Sequence, residues 1–230
     1  MSSFIEYLDP SVQLGPLFME ACKELKIDDK QSSVLLAFMR IVDLKDPATS
    51  RHGIRVALLC RAIARFMHLD QKAAFYSGAL HDVGKAQTDP KTLTKTSGWT
   101  QADTEEIRSH VMDGYRLIRG QFDFSAEVIL WHHRFQPNSY PAELPGPLHE
   151  YSQGTKVMIP LFGRILALAD QFDATHRIND KFTAGPSAVG EWVKEQMFKH
   201  NPDQRVLIQE LYDADIFTTR VFVPEPEVAA

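Results

Sequence analysis

The sequence contains little cysteine and no long apolar run. Its 230 residues include two cysteines, Cys22 and Cys60, which are too few for a disulfide framework, and we interpret both as free, buried thiols. No stretch approaches the ~18 apolar residues that a membrane helix needs, since Arg55, Arg61 and Arg65 interrupt the best candidate. The first residues lack a basic stretch followed by an apolar core. These absences predict a cytoplasmic location as the default.

A block of charge of one sign is also missing. Lys and Arg number 25 against 30 for Asp and Glu, which gives a formal net charge of -5. A nucleic acid or an anionic membrane surface would require a basic stripe on the protein. The charge pattern therefore predicts no nucleic-acid partner and no membrane partner. With 44% hydrophobic and 24% charged residues, the composition is that of an ordinary globular protein with a substantial core.

Strand-like alternation is scarce, whereas apolar residues recur at helical spacing along most of the chain. The predicted fold class is all-α. The helix that carries His52 is predicted to begin near that residue, with Ser50 as its N-cap. Four prolines within residues 137–147 predict a long polar loop, and Pro160 is predicted to open the next helix.

No internal repeat, low-complexity tract or composition change marks a clear domain boundary. Residues 1–45 are predicted to form a short N-terminal helical segment, and residues 46–230 the main domain. One continuous domain fits the same pattern.

Imidazoles and carboxylates fall at helix ends and on apolar helix faces in a distinctive order. In chain order they are His52, His81, Asp82, His110, His132, His133 and Asp170. Asp170 is the most telling, because it lies within the apolar run 165–172, where a carboxylate needs a partner such as a cation. These ligand types suit first-row metals, and the absence of thiolates near them argues against a structural zinc site. Seven ligands exceed what one ion takes, so we predict two ions bridged by one carboxylate.

The order His, His-Asp, His, His-His, Asp is that of a known family. The sequence resembles the HD superfamily of metal-dependent phosphohydrolases and, within it, the HD-GYP branch. The matching blocks, from residue ~41 to residue ~177, read IVDLKDPATSRHGIRVALLCRAIA, GALHDVGKAQTDPKTLTK, SHVMDGYRLI, VILWHHRFQPNSYP and IPLFGRILALADQFDA. The resemblance implies an HD-domain helical bundle with a metal site between its helices.

The resemblance also implies a division of the ligands and a reaction. One ion would be held by His52, His81, Asp82 and Asp170, and the other by Asp82 as the bridge with His110, His132 and His133. Family members hydrolyse cyclic dinucleotides, above all cyclic di-GMP, with iron or manganese; zinc, nickel and cobalt are alternatives. The expected function is that of a binuclear metal-dependent phosphodiesterase acting on a cyclic dinucleotide or a related nucleotide phosphoester by metal-activated water.

Further roles follow from the same resemblance. Asp82 and Lys85 are the predicted catalytic residues, with Lys85 as a point charge for a phosphate oxygen. The predicted substrate contacts are Lys85 and Tyr140, which match the family pattern, together with Arg134 and Arg177, which do not match it. Asp173 follows the last predicted ligand, Asp170, by three residues and matches a second aspartate of the family pattern. It is predicted to orient a ligand.

The sequence departs from the family pattern at several points. Ala48 stands where the branch with a third ion has a glutamate, so two ions are predicted. Arg134 and Ser139 replace a glutamate and a glycine of the family's loop. The basic RPYR-like pattern of the family reads THRINDKF here, with Arg177 as the nearest basic residue. Residues 143–157 form an insertion, which we interpret as a lid or a surface for a partner protein.

Two other functions fit the same residues. A catalytically impaired HD-GYP-like module would keep the metal site, bind a nucleotide without hydrolysing it and act through a signalling partner. A mixed-valent di-iron HD oxygenase would use a similar metal set and take up oxygen in the presence of its substrate. Lys85 and the long GYP-related block favour the phosphodiesterase over the oxygenase.

Overall fold

The structure, a computed structural model, describes residues 13–176 and 186–218, apart from the side chains of residues 186–189. Within these ranges every regular element is a helix, and no strand occurs. The predicted all-α class is therefore confirmed. In chain order the helices are α1 (Leu14–Glu24), α2 (Asp29–Lys45), α3 (Pro47–Phe66), α4 (Gln71–Leu80), α5 (Pro90–Leu93), α6 (Gln101–Ile118), α7 (Asp123–Ile129), α8 (Gln153–His176), α9 (Pro186–His200) and α10 (Arg205–Asp213). Two short 3-10 turns cover Val83–Gln87 and Pro202–Gln204.

The helix that carries His52 begins earlier than predicted. α3 starts at Pro47, and the carboxylate of Asp46 accepts hydrogen bonds from two backbone N–H groups of the first turn. The prediction of a start near His52 with a Ser50 cap is wrong, because an aspartate followed by proline satisfies that first turn. His52 consequently lies in the second turn, where it is buried.

The long helix α8 also begins earlier than predicted. It starts at Gln153, with the Ser152 hydroxyl accepting the backbone N–H of Thr155, and it continues through Pro160. The prediction that Pro160 opens this helix is wrong. A proline inside a helix removes one backbone hydrogen bond and crowds the preceding turn, and the largely buried apolar run that follows offsets this cost.

The connection between α7 and α8 is attached to the bundle. The backbone N–H of Leu148 donates to Glu127 Oε1 over 2.6 Å, and His149 Nε2 lies 2.6 Å from Asp123 Oδ2. The last five residues of the 143–157 insertion form the beginning of α8. Whether the remainder acts as a lid or a partner surface stays a prediction.

Two glycines permit close contacts between the elements that surround the predicted site. A Cβ atom on Gly84, in the turn after α4, would lie 1.9 Å from the carbonyl oxygen of His110 in α6. A Cβ atom on Gly163 of α8 would lie 2.3 Å from the Cβ of Trp131. Both distances are far inside van der Waals contact, so any side chain here would push a ligand-bearing segment away from its neighbour.

The N-terminal helices α1 and α2 pack on α3 and α4. The ring of Phe18 in α1 lies 4.8 Å from that of Phe75 in α4, and Leu35 of α2 is fully buried. The hydrophobic core is thus shared across residue 45. The division into residues 1–45 and 46–230 stays a prediction.

Both cysteines, Cys22 and Cys60, are free and buried, as predicted. Burial raises the pKa of the Cys60 thiol well above its ordinary value, which keeps the thiol protonated and poorly nucleophilic. In the part of the chain that the structure describes, no helix combines the length and the apolar character needed to cross a membrane.

Candidate metal centre

The seven predicted metal ligands converge at one place in the bundle. They come from α3 (His52), the end of α4 and the residue after it (His81 and Asp82), α6 (His110), the segment after α7 (His132 and His133) and α8 (Asp170). Five of them are buried, and His133 and Asp170 are partly exposed. Residues up to 118 positions apart in the chain thus share one polar interior site.

The ligand atoms fall into two groups. We define the first cluster as His52, His81 and Asp170, and the second cluster as His110, His132 and His133; within each, the ligand atoms lie within 4.8 Å of one another. In the first cluster, Asp170 Oδ1 lies 3.0 Å from His52 Nε2 and 3.8 Å from His81 Nε2. In the second, His110 Nε2 and His132 Nε2 are 3.4 Å apart.

Asp82 lies between the two clusters and directs one carboxylate oxygen to each. Its Oδ2 is 3.4 Å from His81 Nε2 and 3.7 Å from His52 Nε2. Its Oδ1 is 3.3 Å from His110 Nε2. This is the arrangement that a carboxylate bridging two cations requires.

Local helix geometry orients three of the histidine rings in the same way. The Nδ1 atoms of His81, His110 and His132 lie 2.8, 2.5 and 2.5 Å from the backbone carbonyl oxygens three residues earlier. A carbonyl oxygen only accepts hydrogen bonds, so each Nδ1 carries the proton. In the neutral ring, each Nε2 therefore presents a lone pair to the interior of the site.

This arrangement fits a bound cation. His81 Nε2 is buried and has no hydrogen-bond partner among the described residues. The facing Nε2 atoms of His110 and His132 are both lone-pair donors, which repel one another unless a cation or a proton lies between them. One transition-metal ion in each cluster would satisfy these nitrogens, and imidazole with carboxylate is a donor set that such ions accept.

The charge states of the second cluster and of the two carboxylates agree with this interpretation, whereas Asp82 and Asp170 outweigh the effect of burial on His81 and raise its pKa. Burial lowers the pKa of His110 to about 4 and that of His133 to about 3, and it holds the pKa of His132 well below its ordinary value. Burial alone would raise the pKa of Asp82 and of Asp170, but neighbouring imidazoles and, for Asp82, the Lys85 ammonium hold both well below their usual range. Neutral imidazoles and ionised carboxylates are the forms that bind metal.

His52 is oriented by a carboxylate instead of a backbone carbonyl. Asp173 Oδ2 lies 2.7 Å from His52 Nδ1, and the same carboxylate accepts two hydrogen bonds from Arg55, at 2.6 and 2.9 Å. Asp173 is almost completely buried. A role for Asp173 in orienting a ligand was predicted from the sequence. Arg55 was not singled out, although its spacing of three residues from His52 places both on one helix face.

The predicted substrate-binding residues have different surroundings. Lys85 Nζ lies 2.6 Å from Asp82 Oδ2. The Tyr140 ring stacks on His133 with 4.4 Å between ring centroids. Arg134 donates to the carbonyl oxygen of Pro141 at 2.5 Å and lies over the Trp131 ring, so it holds the loop.

Two further residues complete the description of the predicted site. Arg177 lies outside the described residues. Gln136, which the sequence analysis did not single out, has its Nε2 3.0 Å from His133 Nδ1. His133 thus has a side-chain partner where the other ligands of the second cluster have a backbone carbonyl.

The sequence pattern of the HD domain family matches residues 49–175, which is more than half of the chain. The chain belongs to the HD domain family. The six residues of the two clusters and Asp82 all lie within the matched range. The resemblance inferred from the order of the ligands is confirmed.

Curated relatives of this HD domain protein carry phosphodiesterase names. A 3'3'-cGAMP-specific phosphodiesterase of Vibrio cholerae is 30% identical over 149 residues, which cover 62% of this chain and 32% of the relative. A cyclic di-GMP phosphodiesterase of Thermotoga maritima is 28% identical over 155 residues, covering 64% of this chain and 39% of the relative. The chain therefore spans about a third of the length of these relatives.

A solved structure shares the fold. The HD domain of the phosphodiesterase PgpH of L. monocytogenes matches with a TM-score of 0.53 and 17% sequence identity. The match covers 78% of this chain and 95% of the PgpH domain. At this level of identity the likeness concerns the fold, and it supports the assignment of the bundle to the HD type.

Proposed function

We propose that this HD domain protein is a binuclear metal-dependent phosphodiesterase that hydrolyses a cyclic dinucleotide, with cyclic di-GMP foremost, or a related nucleotide phosphoester. The observation that carries the proposal is the position of Asp82, which turns one oxygen to each of two imidazole clusters. The names of the relatives, which act on cyclic di-GMP or on 3'3'-cGAMP, support the substrate class.

In this proposal the first cluster holds one divalent ion, the second cluster holds another, and Asp82 is shared. Iron and manganese are the ions proposed, and the same donors also suit zinc, nickel and cobalt. When bound, two such ions lower the pKa of a shared water and neutralise the oxygens of the phosphodiester. Asp173 and Arg55 keep the His52 ring in place for this task.

Lys85 is proposed to contact a phosphate oxygen of the substrate. Its ammonium group has three N–H donors, and the contact with Asp82 Oδ2 uses one of them. The remaining donors can bind an oxygen of the phosphodiester next to the bridging carboxylate. Lys85 thereby links the position of the substrate to the position of Asp82.

Tyr140 is proposed to form a wall of the substrate site. Its ring stacks on His133, and burial raises the pKa of its hydroxyl group, which therefore remains protonated and able to donate. Arg134 supports Tyr140 indirectly, because its hydrogen bond to the carbonyl oxygen of Pro141 fixes the loop that carries Tyr140. Arg134 is thus proposed to position Tyr140, in addition to its predicted substrate contact.

The test is turnover of a panel of cyclic dinucleotides and simple phosphodiesters by protein purified without oxygen, with metals counted in the same sample. We expect hydrolysis of a cyclic dinucleotide by protein that contains about two iron or manganese ions per chain. Full metal content without turnover would contradict the proposal. An oxygen electrode and a nucleotide-binding assay would then distinguish the oxygenase from the impaired binding module.

A further inference from the structure

The cations around the metal centre differ in whether they already have a partner. Lys85 is paired with Asp82, and Arg55 is paired with Asp173. Arg134 is bound to the carbonyl oxygen of Pro141. Each of these three groups therefore has a polar partner inside the protein.

Arg108 of α6 is the exception. It is partly buried, and it forms no ion pair or hydrogen bond with any side chain or backbone group in the described ranges. The neighbouring carboxylates on the same helix are engaged elsewhere: Glu105 accepts from Gln101, and Glu106 accepts from Thr92 and from the backbone. A partly buried guanidinium without an anion has given up some of its hydration without compensation.

The position of Arg108 is set by an aromatic ring. Its guanidinium carbon lies 5.2 Å from the centroid of the Tyr140 ring, which is a cation–π contact. This contact uses the face of the tyrosine and leaves the five N–H donors of the guanidinium available. The same tyrosine ring is 4.4 Å from the ring of His133 and 6.1 Å from that of His110. The Tyr140 ring therefore contacts both the Arg108 guanidinium and a histidine of the second cluster.

We infer that Arg108 is a substrate-binding residue that takes a phosphate group of the substrate, with Tyr140 as the platform that holds it beside the second cluster. The inference rests on the proposed function and adds to it a second group, besides Lys85, that recognises the anion. A planar guanidinium binds two phosphate oxygens at once, which a single ammonium group such as that of Lys85 does not do.

The inference is tested with the manganese-loaded chain, titrated separately with inorganic phosphate and with cyclic di-GMP. We expect Arg108→Gln to weaken the binding of both probes by about tenfold to a hundredfold. Arg108→Lys should recover part of this loss, since it restores the charge but not the paired hydrogen bonds. Metal content and melting temperature should remain those of the wild type in both variants.

The matched control is Arg116→Gln. Arg116 lies on the same helix, is exposed and is paired with Asp113. Its replacement should change both affinities by less than about twofold. Equal losses in the two glutamine variants would show an effect of overall charge alone and would overturn the inference.

The outcomes separate this inference from the proposed function. Phosphate binding that depends on Arg108, without any binding or turnover of a dinucleotide, would support the inference and contradict the proposed substrate. Turnover of a dinucleotide with an affinity that Arg108→Gln leaves unchanged would overturn the inference alone. A wild-type protein that binds neither probe would overturn both.

Discussion

The two clusters of the metal centre have equal numbers of side chains but different charge. In the first cluster, burial alone would lower the pKa of His81, but Asp82 and Asp170 outweigh it and the pKa is raised. The second cluster has no carboxylate of its own, and burial lowers the pKa of His110 to about 4 and that of His133 to about 3. The first cluster is thus surrounded by negative charge, and the second is a pocket of neutral imidazoles.

This difference indicates how the two ions would be held. A divalent ion in the first cluster would be neutralised by Asp170 and by one oxygen of Asp82, with Asp173 behind His52. An ion in the second cluster would have only the other oxygen of Asp82 as an anionic ligand. We therefore expect unequal affinities, with the first cluster binding more tightly and Asp82 coupling the two.

The largest effect is expected for Asp82→Ala, which removes the link between the clusters. The variant should fall from about two ions per chain to well below one, because each cluster loses its shared anionic ligand. Metal analysis of the purified protein measures this. Asp113→Asn, a change at a carboxylate on the outer part of α6, serves as the control and should keep both ions. A variant of Asp82 with two ions at full occupancy would refute the bridge.

The next effect is expected for Asp173→Asn, which acts on the first cluster alone. The variant loses the carboxylate that fixes the His52 ring and leaves Arg55 without its anion. The affinity for one of the two ions should fall by about tenfold to a hundredfold, while the other is retained. Titration of the apoprotein with manganese would resolve the two steps. Equal weakening of both steps would disprove the assignment of Asp173 to the first cluster alone.

A smaller effect is expected when the wild-type protein is treated with increasing chelator. One ion should leave at about a tenfold lower chelator concentration than the other, since it has a single carboxylate oxygen as its anionic ligand. His132→Ala should abolish this first, weaker step and preserve the second. Loss of the stronger step in that variant would reverse the assignment of the two affinities.

The smallest effect is expected for Gln136→Ala. It removes the side-chain partner of His133 Nδ1 on the exposed side of the second cluster. The affinity of the weaker ion should change by only about threefold, because His110 and His132 keep their backbone partners. Replacement of the exposed Asn138 by alanine is the control. A loss as large as that of Asp173→Asn would give Gln136 a much greater role than its exposure suggests.

The convergence of the seven candidate ligands could be predicted from the sequence because their order along the chain is specific. Asp170 in an apolar run and the His81-Asp82 pair are visible without coordinates. The starts of the helices were harder to predict. Ser50 was chosen as the cap of α3 instead of Asp46, and Pro160 was chosen as the first residue of α8. In both cases several residues have suitable local chemistry, and tertiary packing selects among them.

The position of Arg108 could not have been predicted in this way. Arg108 is two residues before His110, a spacing that places the two side chains on different faces of a helix. Its contact with Tyr140 joins residues on α6 and on the loop after α7, and no local pattern encodes that contact. The 143–157 insertion is a similar case, since Leu148 and His149 contact Glu127 and Asp123, which lie 21 and 26 positions earlier in the chain.

The backbone carbonyls that hold His81, His110 and His132 have a consequence for how the protein acquires its ions. Each ring is oriented by the helical turn that precedes it, so the cost of restricting the ring is met when the helix forms and not when the metal arrives. The three rings would therefore already be oriented before an ion binds. We expect that ions could be removed and replaced without unfolding the chain, so that the metal bound would depend on the supply.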